Sequence, residues 1–118
     1  MRDVKQRLSY MDELGIDTQV VFPSIWLGCL AENVELEAAL ARSYNQFMAT
    51  QCGESGGRIW YVAIVPWRRP EWAVQEIRRV KKLGSVAGVY ARGIEWDRPI
   101  THPEHWPIYE EAERQDLP

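Results

Sequence analysis

Apolar positions along the chain repeat one plan three times. Val4, Leu8, Met11 and Leu14 recur at helical spacing and predict an amphipathic first helix. Asp3 is placed to cap it, Gln6 follows in a capping-box-like pair, and Gly15 suits the left-handed position after its end. The run Val20, Val21, Phe22, closed by Pro23, then reads as a buried parallel strand over 19–23. A loop around SIWLGCLAEN leads into a second helix from Val34 to about Cys52, with Asn33 as cap and Gly53 as stop. Its inner face is expected to carry Leu36, Leu40, Tyr44, Phe47 and Met48. The run IWYVAIVP predicts a second strand over 59–66. Pro70 opens a third helix that turns Ala73, Ile77, Val80 and Leu83 inward and ends at Gly84, before a third strand over 86–91. A fourth helix is predicted from Pro107 to Asp116, and the LP after it reads as the lead into another strand.

Helix, glycine and apolar strand in alternation imply an α/β fold whose parallel strands are joined by right-handed crossovers. Nothing marks an internal domain boundary. At 118 residues, with 46% hydrophobic and 26% charged residues, the chain has the composition of one small globular domain or a piece of one. Its six Trp are first of all large rings for a core or an interface. The net charge is −3, and Arg78, Arg79, Lys81 and Lys82 fall on a helix whose other face is apolar. They read as a solvated face, which argues against a nucleic-acid partner. No apolar run approaches the ~18 residues of a membrane span, and MRDVKQRL does not read as a signal peptide, so a cytoplasmic protein is expected. Cys29 and Cys52 have no CxxC spacing and are expected to be free thiols.

In the stretches RLSYMDELGIDTQVVFPS, YVAIVPWRRPEWAVQEIRRVKKLGSVAGVYARG and HPEHWPIYEEAERQDLP, the chain resembles the amidohydrolase-related family. The branch it is most similar to includes aminocarboxymuconate semialdehyde decarboxylase. That resemblance implies a (β/α)8 TIM barrel, of which residues 1–118 supply one partial domain: strands two to four with their helices. It further implies a divalent metal, usually zinc, held by a His-x-His on the first strand, a histidine on the fifth and an aspartate on the eighth. The implied chemistry is hydrolysis or non-oxidative decarboxylation of a small carboxylated substrate, aromatic ones included.

None of those ligands stands in this sequence. The only histidines, His102 and His105 in HPEH, read as a turn and helix entry; the alternative is two imidazoles on one helical face with Glu104 as a base. No catalytic or metal residue is therefore assigned, no metal is expected on this chain by itself, and the chain alone is expected to be inactive. Residues at strand ends would face a substrate. Arg92 could clamp a carboxylate or else pair with Glu95 or Asp97; Trp67 could stack on an aromatic acid or be buried by the helix after it. Ser24 also lies at a strand end, outside any G-x-S-x-G context that would make it a nucleophile. The GESGGR turn precedes a strand, so it is no phosphate cradle.

Two other readings belong to different classes. One is a non-catalytic α/β module that pairs through its edge strands, with itself as a homo-oligomer or with a complementing chain. The other is a metal-free binder of aromatic carboxylates using the same strand-end loops.

Overall fold

The computed structural model describes residues 3–29 and 31–118; Leu30, within the predicted loop after the first strand, lies outside the described residues. Helix α1 spans Val4–Glu13, strand β1 Gln19–Val21, helix α2 Val34–Gly53, strand β2 Ile59–Ala63, helix α3 Pro70–Leu83 and strand β3 Val86–Val89. A hairpin of β4 (Ile94–Glu95) and β5 (Arg98–Pro99) follows, and α4 spans Trp106–Arg114. Single 3-10 turns cover Ser24–Trp26 and Pro103–His105.

The strands β1, β2 and β3 form a parallel sheet in that order. Asp3 caps α1 by accepting from the Gln6 amide at 3.0 Å, and Asn33 caps α2 by accepting from the Leu36 amide at 2.7 Å. Gly84 has φ +86°, the left-handed backbone that ends α3 and turns the chain into β3. The main core lies between the helices and one face of the sheet, where Met48, Cys52, Ile59, Tyr61, Ile77, Val80 and Ile108 meet.

Four expectations need correction. First, β1 is short and not buried: Val20 is 46% exposed and Phe22 65%. Val20 pairs with Trp60, itself 37% exposed, whereas Ile59 and Tyr61 on the other face are fully buried. One side of the sheet is thus covered by helices while its other side is open at this end.

Second, the inner face of α2 is Glu37, Ala41, Asn45, Met48, Ala49 and Cys52, and Leu36, Leu40 and Phe47 are exposed. The face is turned by one residue, about 100°. Hydrophobicity misleads here because two polar side chains find partners inside.

Third, Leu83 at the end of α3 is exposed, and the buried residues of that helix are Ala73, Glu76, Ile77 and Val80. Buried Glu76 is held by Arg79 at 2.7 Å. Fourth, the predicted strands run long, ending instead at Val21, Ala63 and Val89, and α4 begins one residue earlier than predicted and ends two before Asp116. The two-residue strands of the β4–β5 hairpin leave no periodic pattern in the sequence.

Candidate functional site

All three strands of a parallel sheet end on the same side, so the loops after β1, β2 and β3 come together there. The side chains that organise them are charged and largely buried. Glu37, on the first turn of α2, is 5% exposed. Its Oε2 accepts from Arg68 Nε at 3.0 Å and Nη2 at 2.8 Å. Arg68 follows β2, and its remaining donors go to the Glu32 carbonyl at 2.8 Å and the Ala31 carbonyl at 2.9 Å. The guanidinium carbon lies 3.9 Å from the centre of the Trp96 ring, and Trp96 Nε1 donates to Glu37 Oε1 at 3.3 Å. One arginine therefore joins the loops that follow all three strands.

Arg92, at the end of β3, makes the complementary set. Its amide donates to Glu95 Oε1 at 2.7 Å, and Nε and Nη2 donate to Glu95 Oε2 at 3.0 and 2.5 Å. Nη1 reaches across to the carbonyls of Gly28 at 2.8 Å and Trp26 at 3.5 Å, in the β1–α2 loop. Glu37 Oε1 lies 4.0 Å from Arg92 Nη2, which links the two sets. Burial works to lower the Arg92 pKa, and the hydrogen-bonded Glu95 carboxylate more than reverses it, leaving it raised. The group stays charged, and all three guanidinium nitrogens already have protein partners. A substrate carboxylate at Arg92 would have to compete with Glu95.

Trp67 is 5% exposed and its Nε1 donates to the Tyr90 carbonyl at 2.9 Å. Its ring meets His105 edge-on with centroids 5.2 Å apart and lies 5.5 Å from Tyr109. It forms a wall between β3 and α4. Ser24 opens the 3-10 turn after β1 and is exposed, its hydroxyl free of protein hydrogen bonds among the described residues. Arg92 reaches the carbonyl of Trp26, in the same 3-10 turn as Ser24, while Trp67 packs against His105 and Tyr109.

Asn45 is the second buried polar anchor. Its Nδ2 donates to the Ile64 carbonyl at 2.7 Å and to Glu76 Oε1 at 2.8 Å, and its Oδ1 accepts from the Ile64 amide at 2.9 Å. The side chain supplies Ile64 with the two backbone bonds that β1, ending at Val21, no longer reaches. The exit of β2 is fixed by a helix residue instead of a strand.

Of these residues the sequence singled out Arg92, as a carboxylate clamp or a partner of Glu95 or Asp97, and the structure shows the pairing with Glu95; Glu37, Asn45, Arg68 and Trp96 were not singled out. A signal was present: Glu37, Ala41 and Asn45 recur at helical spacing, and an acid or amide among small residues on a helix face needs a buried partner. His102 and His105 have ring centroids 6.0 Å apart, but His102 Nδ1 accepts from the Glu104 amide and His105 Nδ1 lies 3.4 Å from the Ile100 carbonyl. Among the described residues no group of three or more His, Cys, Asp or Glu could hold a metal. The side chains present do not fit the implied metal, so no chemical step is derived through one.

No family profile matches the chain. It is 30% identical over 123 residues to a gamma-resorcylate decarboxylase of Polaromonas sp. strain JS666, a match covering 96% of this chain and 36% of the relative. The chain is a homologue of amidohydrolase-family decarboxylases. It also superposes on a dihydroxybenzoic acid decarboxylase from the same organism, crystallised with manganese and the inhibitor 2-nitroresorcinol, with a TM-score of 0.82 at 28% identity. That match covers 100% of this chain and 37% of the other. A 5-carboxyvanillate decarboxylase from Novosphingobium aromaticivorans, with bound manganese, shows the same fold at a TM-score of 0.84 and 24% identity, covering 98% of this chain and 34% of the other. The chain thus spans 36% of the length of the curated relative it matches, and its fold is part of a TIM barrel. A divalent metal accompanies the homologues, manganese in these two structures. No helix among the described residues is long and apolar enough to cross a membrane.

Proposed function

We propose that this chain is a section of a divalent-metal-dependent, non-oxidative decarboxylase of an aromatic carboxylate, and that it supplies barrel strands two to four as one partial domain. The observation that carries this reading is the 30% identity to gamma-resorcylate decarboxylase sustained over 96% of the chain. The loop architecture supports it. A site that handles a flat aromatic acid needs loops held in place before the substrate arrives, and Glu37, Arg68, Arg92 and Glu95 hold the three strand-end loops through buried, charge-assisted hydrogen bonds.

In this account Ser24 presents a free hydroxyl toward the substrate and Trp67 backs the wall. Arg92 acts first as a positioning residue, because it bridges Glu95 to the β1–α2 loop. The metal ligands come from outside these residues, zinc and manganese being equally compatible with this chain, and the chain by itself is inactive.

The test is a chimera in which residues 3–118 replace the homologous third of the Polaromonas decarboxylase. The expected result is a folded, manganese-loaded chimera that releases carbon dioxide from gamma-resorcylate. Arg92→Ala in that chimera is expected to lower kcat/KM at least tenfold. A folded chimera with full manganese content that turns over no hydroxybenzoate would contradict the proposal.

A further inference from the structure

The tip of the β4–β5 hairpin departs from the usual chemistry of its turn. Ile94 pairs with Pro99 and Glu95 with Arg98, which leaves Trp96 and Asp97 as a two-residue loop. Of these two only Trp96 has positive φ, at 61°. A tight hairpin turn with positive φ at its first loop residue alone normally takes glycine there, because a Cβ is crowded in that backbone. An indole held in this conformation is maintained by contacts made beyond the turn.

The hairpin needs such contacts, since two ladder pairs do not hold strands together by themselves. Its β5 side is tied toward α4, by Arg98 to Glu104 and by the Tyr109 hydroxyl, which donates to the Ile100 carbonyl at 2.8 Å. Its tip is tied the other way by Trp96. The ring lies over the Arg68 guanidinium at 3.9 Å, and Nε1 donates to Glu37 Oε1 at 3.3 Å. Glu95 precedes Trp96 directly and is 2% exposed. Its carboxylate takes the Arg92 amide, Nε and Nη2, which leaves Arg92 Nη1 to hold the Gly28 carbonyl at 2.8 Å. The order of dependence runs from Trp96 to Glu95 to Arg92 to the β1–α2 loop.

We propose that Trp96 is the positioning residue of the strand-end site: its ring on Arg68 and its indole N–H on Glu37 set the hairpin so that Glu95 holds the Arg92 guanidinium against the β1–α2 loop. This rests on the reading of these loops as the substrate side of a decarboxylase. Trp96 acts through Glu95 and Arg92, by fixing their geometry before a substrate arrives.

In the 15N-labelled 118-residue chain, solvent exchange of the Arg92 Nε–H reads the Glu95 contact directly, its signal identified by its loss in Arg92→Lys. Trp96→Gly suits the turn but removes the ring. It is expected to speed that exchange at least about tenfold while the Tyr61 and Ile77 amides exchange as before. Trp96→Phe keeps a ring for Arg68 and is expected to restore most of the protection. In the chimera, Trp96→Gly is expected to lower kcat/KM about tenfold by itself, and less than about twofold when Arg92 is already replaced by Ala. Unchanged Arg92 exchange in Trp96→Gly would overturn the proposal. So would faster exchange shared by Tyr61 and Ile77, which would make Trp96 a general stabiliser, or losses in the chimera that simply multiply. A chimera that is inactive with Trp96 in place contradicts the decarboxylase reading alone, and exchange in the chain still decides the positioning role.

Discussion

Glu37 and Arg68 are joined across 31 residues of sequence by two hydrogen bonds, of 2.8 and 3.0 Å, to a single carboxylate oxygen. The second oxygen faces Trp96 and Arg92. One buried carboxylate therefore neutralises a partly buried arginine and anchors the loops beyond β2 and β3 to the start of α2. Removing the carboxylate leaves Arg68 charged and partly buried without its partner, at a cost of about 3 kcal/mol. Glu37→Gln is expected to lower unfolding stability in urea by about that amount, and a loss below about 1 kcal/mol would mean that the network is solvent-screened.

Asn45 should be as sensitive, for a different reason. Asn45→Leu keeps the volume but strips the Ile64 amide and carbonyl of their partners. The expected loss is about 2–3 kcal/mol, with faster hydrogen exchange at the Ile64 amide. Unchanged protection at Ile64 would show that the β2 exit is held by something else.

The α3–α4 contact carries a pH signature. Glu111 is 1% exposed; its carboxylate takes Arg78 Nε and Nη2 at 3.0 and 2.8 Å, with Gln115 and Arg114 adding further bonds. Chiefly the Arg78 hydrogen bonds, assisted by Gln115 and Arg114, lower its pKa from 4.5 to about 2. A depressed carboxylate contributes fully above its unfolded pKa and loses that contribution as pH falls through the folded value. Thermal stability should therefore drop between about pH 4.5 and pH 2, and Glu111→Gln should flatten that segment of the profile. An equal slope in both proteins would remove Glu111 as its cause.

The two cysteines should differ in reactivity. Cys29 is exposed, whereas Cys52 is fully buried, and burial pushes its thiol up to about 11. At neutral pH a thiol reagent is expected to label Cys29 in the folded chain and Cys52 only after denaturation. Rapid native labelling of Cys52 would mean that the core between α2 and β2 opens readily.

The order of helices and strands was legible because the ends of the first three helices are marked in the sequence: Asp3, Asn33, Pro70 and Gly84 all do what their types predict. The site was less legible. Arg92 could be picked out by its place after β3, but its partner could not be settled, since Glu95 and Asp97 are both near in sequence and only the β4–β5 turn selects Glu95. Glu37 and Asn45 were hidden for the opposite reason. Their partners lie 31 and 19 residues away, and a period counted in apolar residues passes over polar ones that are buried. The same blindness made Leu36, Leu40 and Phe47 look like the inner face of α2.

The central claim is that this chain supplies strand-end loops to a metal-dependent decarboxylase without carrying a metal site of its own. The most direct measurement is elemental analysis of the purified 118-residue chain after gel filtration in the presence of manganese or zinc. The account predicts substoichiometric metal in every folded fraction. One equivalent of either metal per chain, retained through the column and lost in His102→Ala or His105→Ala, would contradict it.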